Sequence, residues 1–248
     1  MNSVNSAILI GAASLAILSG RPAYSEVLLD VNIGFVSDYI FRGVEQSNSS
    51  ASAGLDAGFH GLYAGTFVID VSPGLEYDLY GGYAMDFSGF GLDLNYTSYN
   101  FTQDDPNNNV GFAGDTSREV NLGVSYGPLD LRYTRGTFDN FQGHEPGSRK
   151  LDYTVGTARL SYLGFSVLYG ANGDEFDGSW WEIGYGADFG GFDASVKLVI
   201  SNASLDNEEY IIFSLNKSFD LIEEYQHLHD VVDTRAGPES LENPPAVP

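Results

Sequence analysis

The 248-residue sequence has no cysteine, so neither a disulfide framework nor a thiolate metal site can belong to this protein. Basic residues are scarce. Only 11 Lys and Arg stand against 34 Asp and Glu, a formal net charge of −23 that repels phosphate backbones and argues against nucleic acid as a partner. After Ser25 no apolar run approaches the ~20 residues of a membrane-spanning helix. Histidine is limited to His60, His144, His227 and His229. His227 and His229 lie two apart and would diverge on a helix, and no strand offers the Ser and His of an outer-membrane lipase. The sequence therefore reads as a non-enzyme with no cofactor and no metal.

What is abundant is glycine, with 30 residues, and aromatic side chains, 14% of the chain. That balance suits many short strands with tight turns and suits helices poorly. The first residues read as a targeting segment. Ala7 to Leu18 is a continuous apolar run too short to span a bilayer, and Ala23-Tyr24-Ser25 supplies small residues for cleavage, although Met1 to Ser6 carries no Lys or Arg. Residues 1–25 are thus expected to be a signal peptide of a Gram-negative exported protein.

From Val27 onward, apolar residues alternate with small or polar ones, the period of a strand with two different faces. Leu29, Val31, Ile33 and Phe35 share one face and Asp30, Asn32 and Gly34 the other. Val120, Leu122, Val124 and Tyr126 likewise oppose Glu119, Asn121, Gly123 and Ser125. Twelve such segments are predicted, near 27–37, 51–59, 62–71, 76–87, 90–99, 118–126, 129–135, 151–162, 164–170, 179–189, 192–201 and 208–219. Very short links fall at His60-Gly61, Ser88-Gly89, Gly127-Pro128, Leu163-Gly164 and Gly190-Gly191, beside Phe or Tyr. Longer links are expected near 38–50, 72–75, 100–117, 136–150, 171–178 and 202–207, in strict alternation with the short ones. Short periplasmic turns, long external loops and turn-flanking aromatics define an all-β, transmembrane, up-and-down antiparallel β-barrel of about twelve strands over residues 26–219. An even count puts both termini in the periplasm and the barrel in the outer membrane.

The stretch Val36-Ser37-Asp38-Tyr39-Ile40-Phe41-Arg42-Gly43, continuing through Gln46-Ser47 to Gly61-Leu62-Tyr63-Ala64-Gly65-Thr66, resembles the TorF-like family of porins. Glu76-Tyr77-Asp78-Leu79-Tyr80-Gly81-Gly82-Tyr83 and the segment Phe213 to Phe219 resemble it as well. The resemblance implies a barrel and passive transport, and brings no catalytic or binding residues. The 29 residues that follow Phe219 depart from it. Leu221, Ile222, Tyr225, Leu228, Val231 and Val232 recur at roughly helical spacing, and residues 220–248 read as an acidic periplasmic tail.

Because charge is costly in hydrocarbon, the faces rich in Asp, Glu, Asn and Gly are expected to point inward. Asp86, Asp93, Asp130, Asp188 and Asp193 flank short turns on the inward phase, and would form a partial carboxylate ring at the periplasmic mouth. Arg132 and Lys197 line the same lumen, and Arg42 stands just past the first strand, facing either the inward carboxylates or a loop-base ion pair. Asn172 to Gly178 resembles a calcium loop in composition, but Phe176 breaks the ligand spacing and a solvated acidic loop is the reading. Twelve strands lie between barrels of ~8, filled by their own side chains, and barrels of ~16 with an aqueous channel. Inward Gly54, Gly58, Gly82, Gly123, Gly184 and Gly186 would leave room, whereas Tyr80, Tyr99 and Trp180 would constrict it. The expected function is a small porin-like passive diffusion channel for small hydrophilic solutes, with preference for cations and ion transport as its consequence. The alternative is a non-conducting outer-membrane barrel for adhesion or envelope structure. Its partners are outer-membrane lipid and small solutes or cations; the oligomeric state has no signature in the sequence.

Overall fold

The computed structural model describes residues 27–71, 74–102, 116–139, 150–205 and 207–222. The expected signal peptide, and the tail beyond residue 222, lie outside them. Twelve strands form in chain order: β1 (Leu28–Phe41), β2 (Val44–Phe59), β3 (Leu62–Asp70), β4 (Leu75–Phe87), β5 (Phe90–Phe101) and β6 (Thr116–Tyr126). They continue as β7 (Leu129–Asp139), β8 (Lys150–Tyr162), β9 (Phe165–Asp174), β10 (Ser179–Asp188), β11 (Asp193–Ser201) and β12 (Glu209–Asp220). A 3-10 turn, Ala203–Leu205, precedes β12. Each strand pairs antiparallel with its sequence neighbours, and β1 pairs with β12, so the sheet closes and has no edge. Closure leaves no open strand edge, which a sheet surrounded by lipid requires. The seam is short: it runs from Asp30↔Asp220 to Val36↔Ser214, and the Ser37 hydroxyl extends it by accepting from the Phe213 backbone N–H at 2.9 Å.

The wall sorts its residues by period two. Leu55, Leu79, Leu94, Leu122, Leu131, Ile183 and Ile211 are exposed on the outside, and Phe59, Phe87, Phe90, Tyr126, Tyr162, Phe165 and Phe189 crowd the short turns. An exposed apolar surface of this extent, wrapped round the whole barrel, is stable only against hydrocarbon, and the aromatic rim suits a membrane interface. No helix among the described residues is long and apolar enough to cross a membrane, a statement that concerns helices only.

The turns follow a common chemistry. His60-Gly61, Ser88-Gly89 and Leu163-Gly164 each place two consecutive residues at positive φ (50° and 87°, 51° and 85°, 48° and 83°), the reversal that matches strand twist and that glycine permits at its second position. The expected strict alternation of short and long links breaks at one place. In the expected long link at 38–50, β1 and β2 instead run on to Phe41 and Val44 and join through Arg42-Gly43, another pair at positive φ (52° and 82°). With 14 and 16 residues, β1 and β2 exceed the ~9–11 that cross a bilayer. The remaining expected long links hold at slightly shifted bounds, such as 175–178 between β9 and β10.

Candidate functional site: the lumen

The surplus length of β1 and β2 goes inward. Along most of β1 exposure alternates, but at Tyr39, Ile40, Phe41 and Val44 both faces are buried. A strand in a wall cannot bury both faces, so the hairpin tip has left the wall. Its contacts show where it goes. Arg42 reaches Glu119 on β6 and the Tyr153 ring on β8, and a Cβ added at Gly43 would lie 2.8 Å from Trp180 Cβ on β10 and 3.2 Å from Leu205. These elements stand across the barrel from β1 and β2, so the tip spans the lumen at the end opposite the short turns. Phe176 adds to this packing, 4.8 Å from the Phe138 ring and 5.5 Å from the Tyr153 ring. The barrel's buried apolar cluster is thus inside the lumen, and includes Tyr39, Phe41, Ile69, Tyr99, Tyr153, Trp180 and Ile212.

At the centre of this packing lies a charged cradle. Glu119, 1% exposed, faces the Arg42 guanidinium with both oxygens, Oε1 2.6 Å from Nη1 and Oε2 accepting from Nη2 at 2.9 Å. Tyr153 donates to Oε1 at 2.7 Å and Tyr99 to Oε2 at 3.1 Å. The guanidinium carbon is 4.6 Å from the Phe41 ring centroid and 5.9 Å from that of Tyr153. A guanidinium can face both oxygens of one carboxylate with two nitrogens at once, which lysine's single ammonium does not. Beside it, the Tyr39 hydroxyl donates to both oxygens of Glu76 at 3.1 Å. Asp78 is fully buried on the same inward face of β4, and neither carboxylate oxygen has a hydrogen-bond partner among the described residues. A small cavity next to the tip is lined by Phe41, Gln46, Glu76, Tyr99, Phe101, Ser117 and Tyr153.

Toward the short turns the lumen is polar. Asp93 accepts from the Tyr63 hydroxyl at 2.6 Å and from Asn95 Nδ2 at 2.7 Å, and lies 3.5 Å from Arg132 Nη2. The chain of contacts continues from Asn95 through Asn121 to Thr134. Lys197 donates to Glu182 at 3.0 Å, and Trp180 Nε1 donates to the other oxygen of Glu182 at 3.1 Å. Tyr80 donates to Asp56.

Arg42 pairs with Glu119 on β6. Arg132 and Lys197 point inward, each against a carboxylate. Of the five expected ring residues, Asp188 and Asp193 are Cα partners at the last rung before their turn, Asp130 stands between Ser125 and Arg159, and Asp86 stands opposite Gly91. Asp93 lies deeper and is engaged as described. The inward glycines do not all leave open space. A Cβ at Gly54 would meet the Asn32 side chain, and one at Gly82 would meet Asn95 and the Tyr63 hydroxyl. Gly65, Gly136 and Gly170 are covered by the rings of Tyr80, Tyr153 and Trp180, so glycine on one strand seats an aromatic side chain from its neighbour. Glu119 and Asp78 were legible as inward residues, but nothing local marked them as a site, because the partner of Glu119 lies 77 residues away. At the loop after β9, Asp177 spends its oxygens on the Gly178 backbone N–H and the Ser204 hydroxyl.

Solved structures of other proteins superpose on the barrel at low sequence identity. A structure described as "Unveiling the Mechanism Behind the in-meso Crystallization of Membrane Proteins" superposes with a TM-score of 0.52 at 11% identity, over 78% of this chain and 84% of that one. The KdgM porin gives a TM-score of 0.48 at 8% identity, over 79% and 99%. OccK2 (OpdF) of Pseudomonas aeruginosa, solved in complex with glucuronate, gives 0.36 at 11% identity, over 75% and 61%. No curated protein matches the sequence. The β-barrel implied by the resemblance is present, although the family matched does not carry the TorF-like name. Residues 21–227 match the model of one family, and the chain belongs to it: the bacterial proteins of unknown function described as Gcw_chp.

Proposed function

We propose that this protein is a small porin-like channel of the bacterial outer membrane, seen with its lumen closed by the β1–β2 tip, and that it passes small hydrophilic solutes with a preference for cations. One observation carries the reading. The wall is apolar outside, while Asp56, Asp78, Asp93, Glu76, Glu119 and Glu182 all stand inside, a set of acidic groups that a wall built only to meet lipid does not require. The periplasmic carboxylates Asp86, Asp130, Asp188 and Asp193 add to a negative inner mouth, which favours cation passage. Both termini belong on the short-turn side, the expected periplasmic face.

The non-conducting alternative has an observation of its own in the filled end of the lumen, where Tyr39, Tyr153 and Trp180 are almost fully buried. Planar-bilayer recording separates the two. The refolded full chain is expected to show low or intermittent conductance, and a variant in which Tyr39 to Gln46 is replaced by a short Asn-Gly reversal is expected to show steady conductance with a cation-positive reversal potential. If the shortened variant folds as a heat-modifiable barrel and stays silent, the channel reading is wrong and the barrel is structural.

A further inference from the structure

The cradle around Glu119 has the features of a recognition site whose occupant is, in this state, part of the protein itself. We infer that it is a binding site for small solutes carrying a guanidinium group, and that Arg42 holds the place of the solute while the lumen is closed. This rests on the channel reading and names the solute class for it.

Three observations meet at the site. The first is shape. Glu119 turns both oxygens to the guanidinium, Oε2 accepting from Nη2 and Oε1 lying 2.6 Å from Nη1, and Tyr153 and Tyr99 each donate to one of those oxygens. All three residues belong to the wall strands β5, β6 and β8 and stay in place if the tip withdraws, as does the Tyr153 ring that flanks the cation. The second is acceptor capacity. Among the described residues Glu76, Asp78 and Glu119 stand together, Arg42 pairs with Glu119, and Asp78 is fully buried with neither oxygen hydrogen-bonded. The site therefore holds more hydrogen-bond acceptors than are met by donors among the described residues. The third is linkage. Arg42 and Tyr39 both sit on the β1–β2 tip, so its withdrawal strips Glu119 of its counter-ion and Glu76 of its hydroxyl donor together. Unpaired buried charge is strongly unfavourable, so the opened site calls for a cation. A guanidinium solute meets both oxygens of Glu119 with charge-assisted hydrogen bonds and leaves N–H donors over for the surrounding acceptors; a neutral solute brings no charge to Glu119 and an anionic one is repelled. Tip and solute compete for one place, and the apparent affinity of the intact protein is reduced to the fraction of molecules whose tip has left.

The test is titration calorimetry of the full chain, refolded in detergent at fixed potassium chloride, with methylguanidinium as probe and N-methylurea as its neutral counterpart. Arg42→Ala is expected to bind methylguanidinium about tenfold or more tighter than the natural sequence, with no N-methylurea binding and loss of binding in the Arg42→Ala, Glu119→Gln double variant. Arg42→Met, which keeps an apolar stem in the tip, serves if the alanine variant does not yield a heat-modifiable barrel. Equal affinity in the natural and Arg42 variants, binding that survives Glu119→Gln, or equal binding of N-methylurea each overturns the inference. Binding is read without conduction. A barrel that binds as expected but never conducts retains the site and removes the channel, and one that conducts without binding removes the site alone.

Discussion

Two hairpins with nearly the same turn meet opposite fates. Ser88-Gly89 and Arg42-Gly43 both reverse the chain through two residues at positive φ, each preceded by phenylalanine. At the first, Phe87 is 73% exposed and stands at the membrane rim; at the second, Phe41 is 7% exposed and lies inside the barrel. The turn chemistry fixes only that the chain reverses. What decides the destination is the length of strand before the turn and the partners it can find. β4 and β5 end where the apolar belt ends, whereas β1 and β2 run past it and carry an arginine that hydrocarbon would reject and Glu119 accepts.

The largest expected effect comes from removing that acceptor. Glu119→Gln removes the carboxylate that faces the Arg42 guanidinium, a loss of about 3–5 kcal/mol if the tip stays buried, so the tip is expected to withdraw. The chain has no cysteine, so a single Val44→Cys provides a clean reporter. Its reaction with a water-soluble maleimide is expected to accelerate at least about tenfold in the Glu119→Gln background, since even half of that loss exceeds the 1.4 kcal/mol that a factor of ten represents. An unchanged rate would mean that apolar packing alone holds the tip and would collapse the contrast with Ser88-Gly89.

Next in size is the same substitution at the two turns. Gly43→Ala and Gly89→Ala both place a Cβ on left-handed backbone, at φ 82° and 85°, which costs about 1–2 kcal/mol. Only at Gly43 does the new atom also meet neighbours closely, with Trp180 Cβ at 2.8 Å against 3.8 Å to the Tyr126 ring at Gly89. Urea titration in detergent is expected to show Gly43→Ala less stable by a further ~1–3 kcal/mol, or to show its tip released by the maleimide assay. Equal losses with the tip still shielded would show the tip to be loosely seated.

A smaller effect is expected in the polar half of the lumen. Tyr63→Phe removes the 2.6 Å hydrogen bond to Asp93 and should cost about 1 kcal/mol in the same titration, because Asn95 and Arg132 still hold the carboxylate. The smallest concerns the inner mouth. Replacing Asp86, Asp93, Asp188 and Asp193 together by asparagine should lower, without reversing, the cation preference measured as a reversal potential in a salt gradient, since Asp56, Glu119 and Glu182 in the lumen are untouched. Anion preference in the unaltered protein would remove the proposed filter altogether.

Most of the wall was legible before any coordinates. A strand between lipid and lumen has two unlike faces, so Leu29 to Phe35 and Val120 to Tyr126 announce both their strand and its orientation by simple alternation. The tip was not legible for the same physical reason. Tyr39-Ile40-Phe41 is buried on both faces, alternation disappears, and the segment reads as a loop. The one local signal was Arg42-Gly43 itself, the same X-Gly pattern as His60-Gly61 and Ser88-Gly89, masked by the polar run Glu45 to Ser50 that follows it. Inward glycines misled in a related way. A residue without a side chain implies space only if no neighbour fills it, and at Gly54 and Gly82 the filling side chains, Asn32 and Asn95 with Tyr63, come from the adjacent strands at a register that alternation alone does not give.

The seam between β1 and β12 sets an order of assembly. Its rungs join residues nearly a barrel's length apart along the chain, whereas the other eleven strand pairs can zip from turns or loops between sequence neighbours. Contacts of such separation are slow to form, because a long loop must be closed before any rung rewards it. Until then β1 and β12 are two open edges, each able to pair with another copy or with a helper protein that offers a strand. The tip sits on β1, and the strands that receive it are complete only when the sheet has curled. Lumen closure by Arg42 is therefore a late event in the life of the molecule, one that records that the barrel has formed.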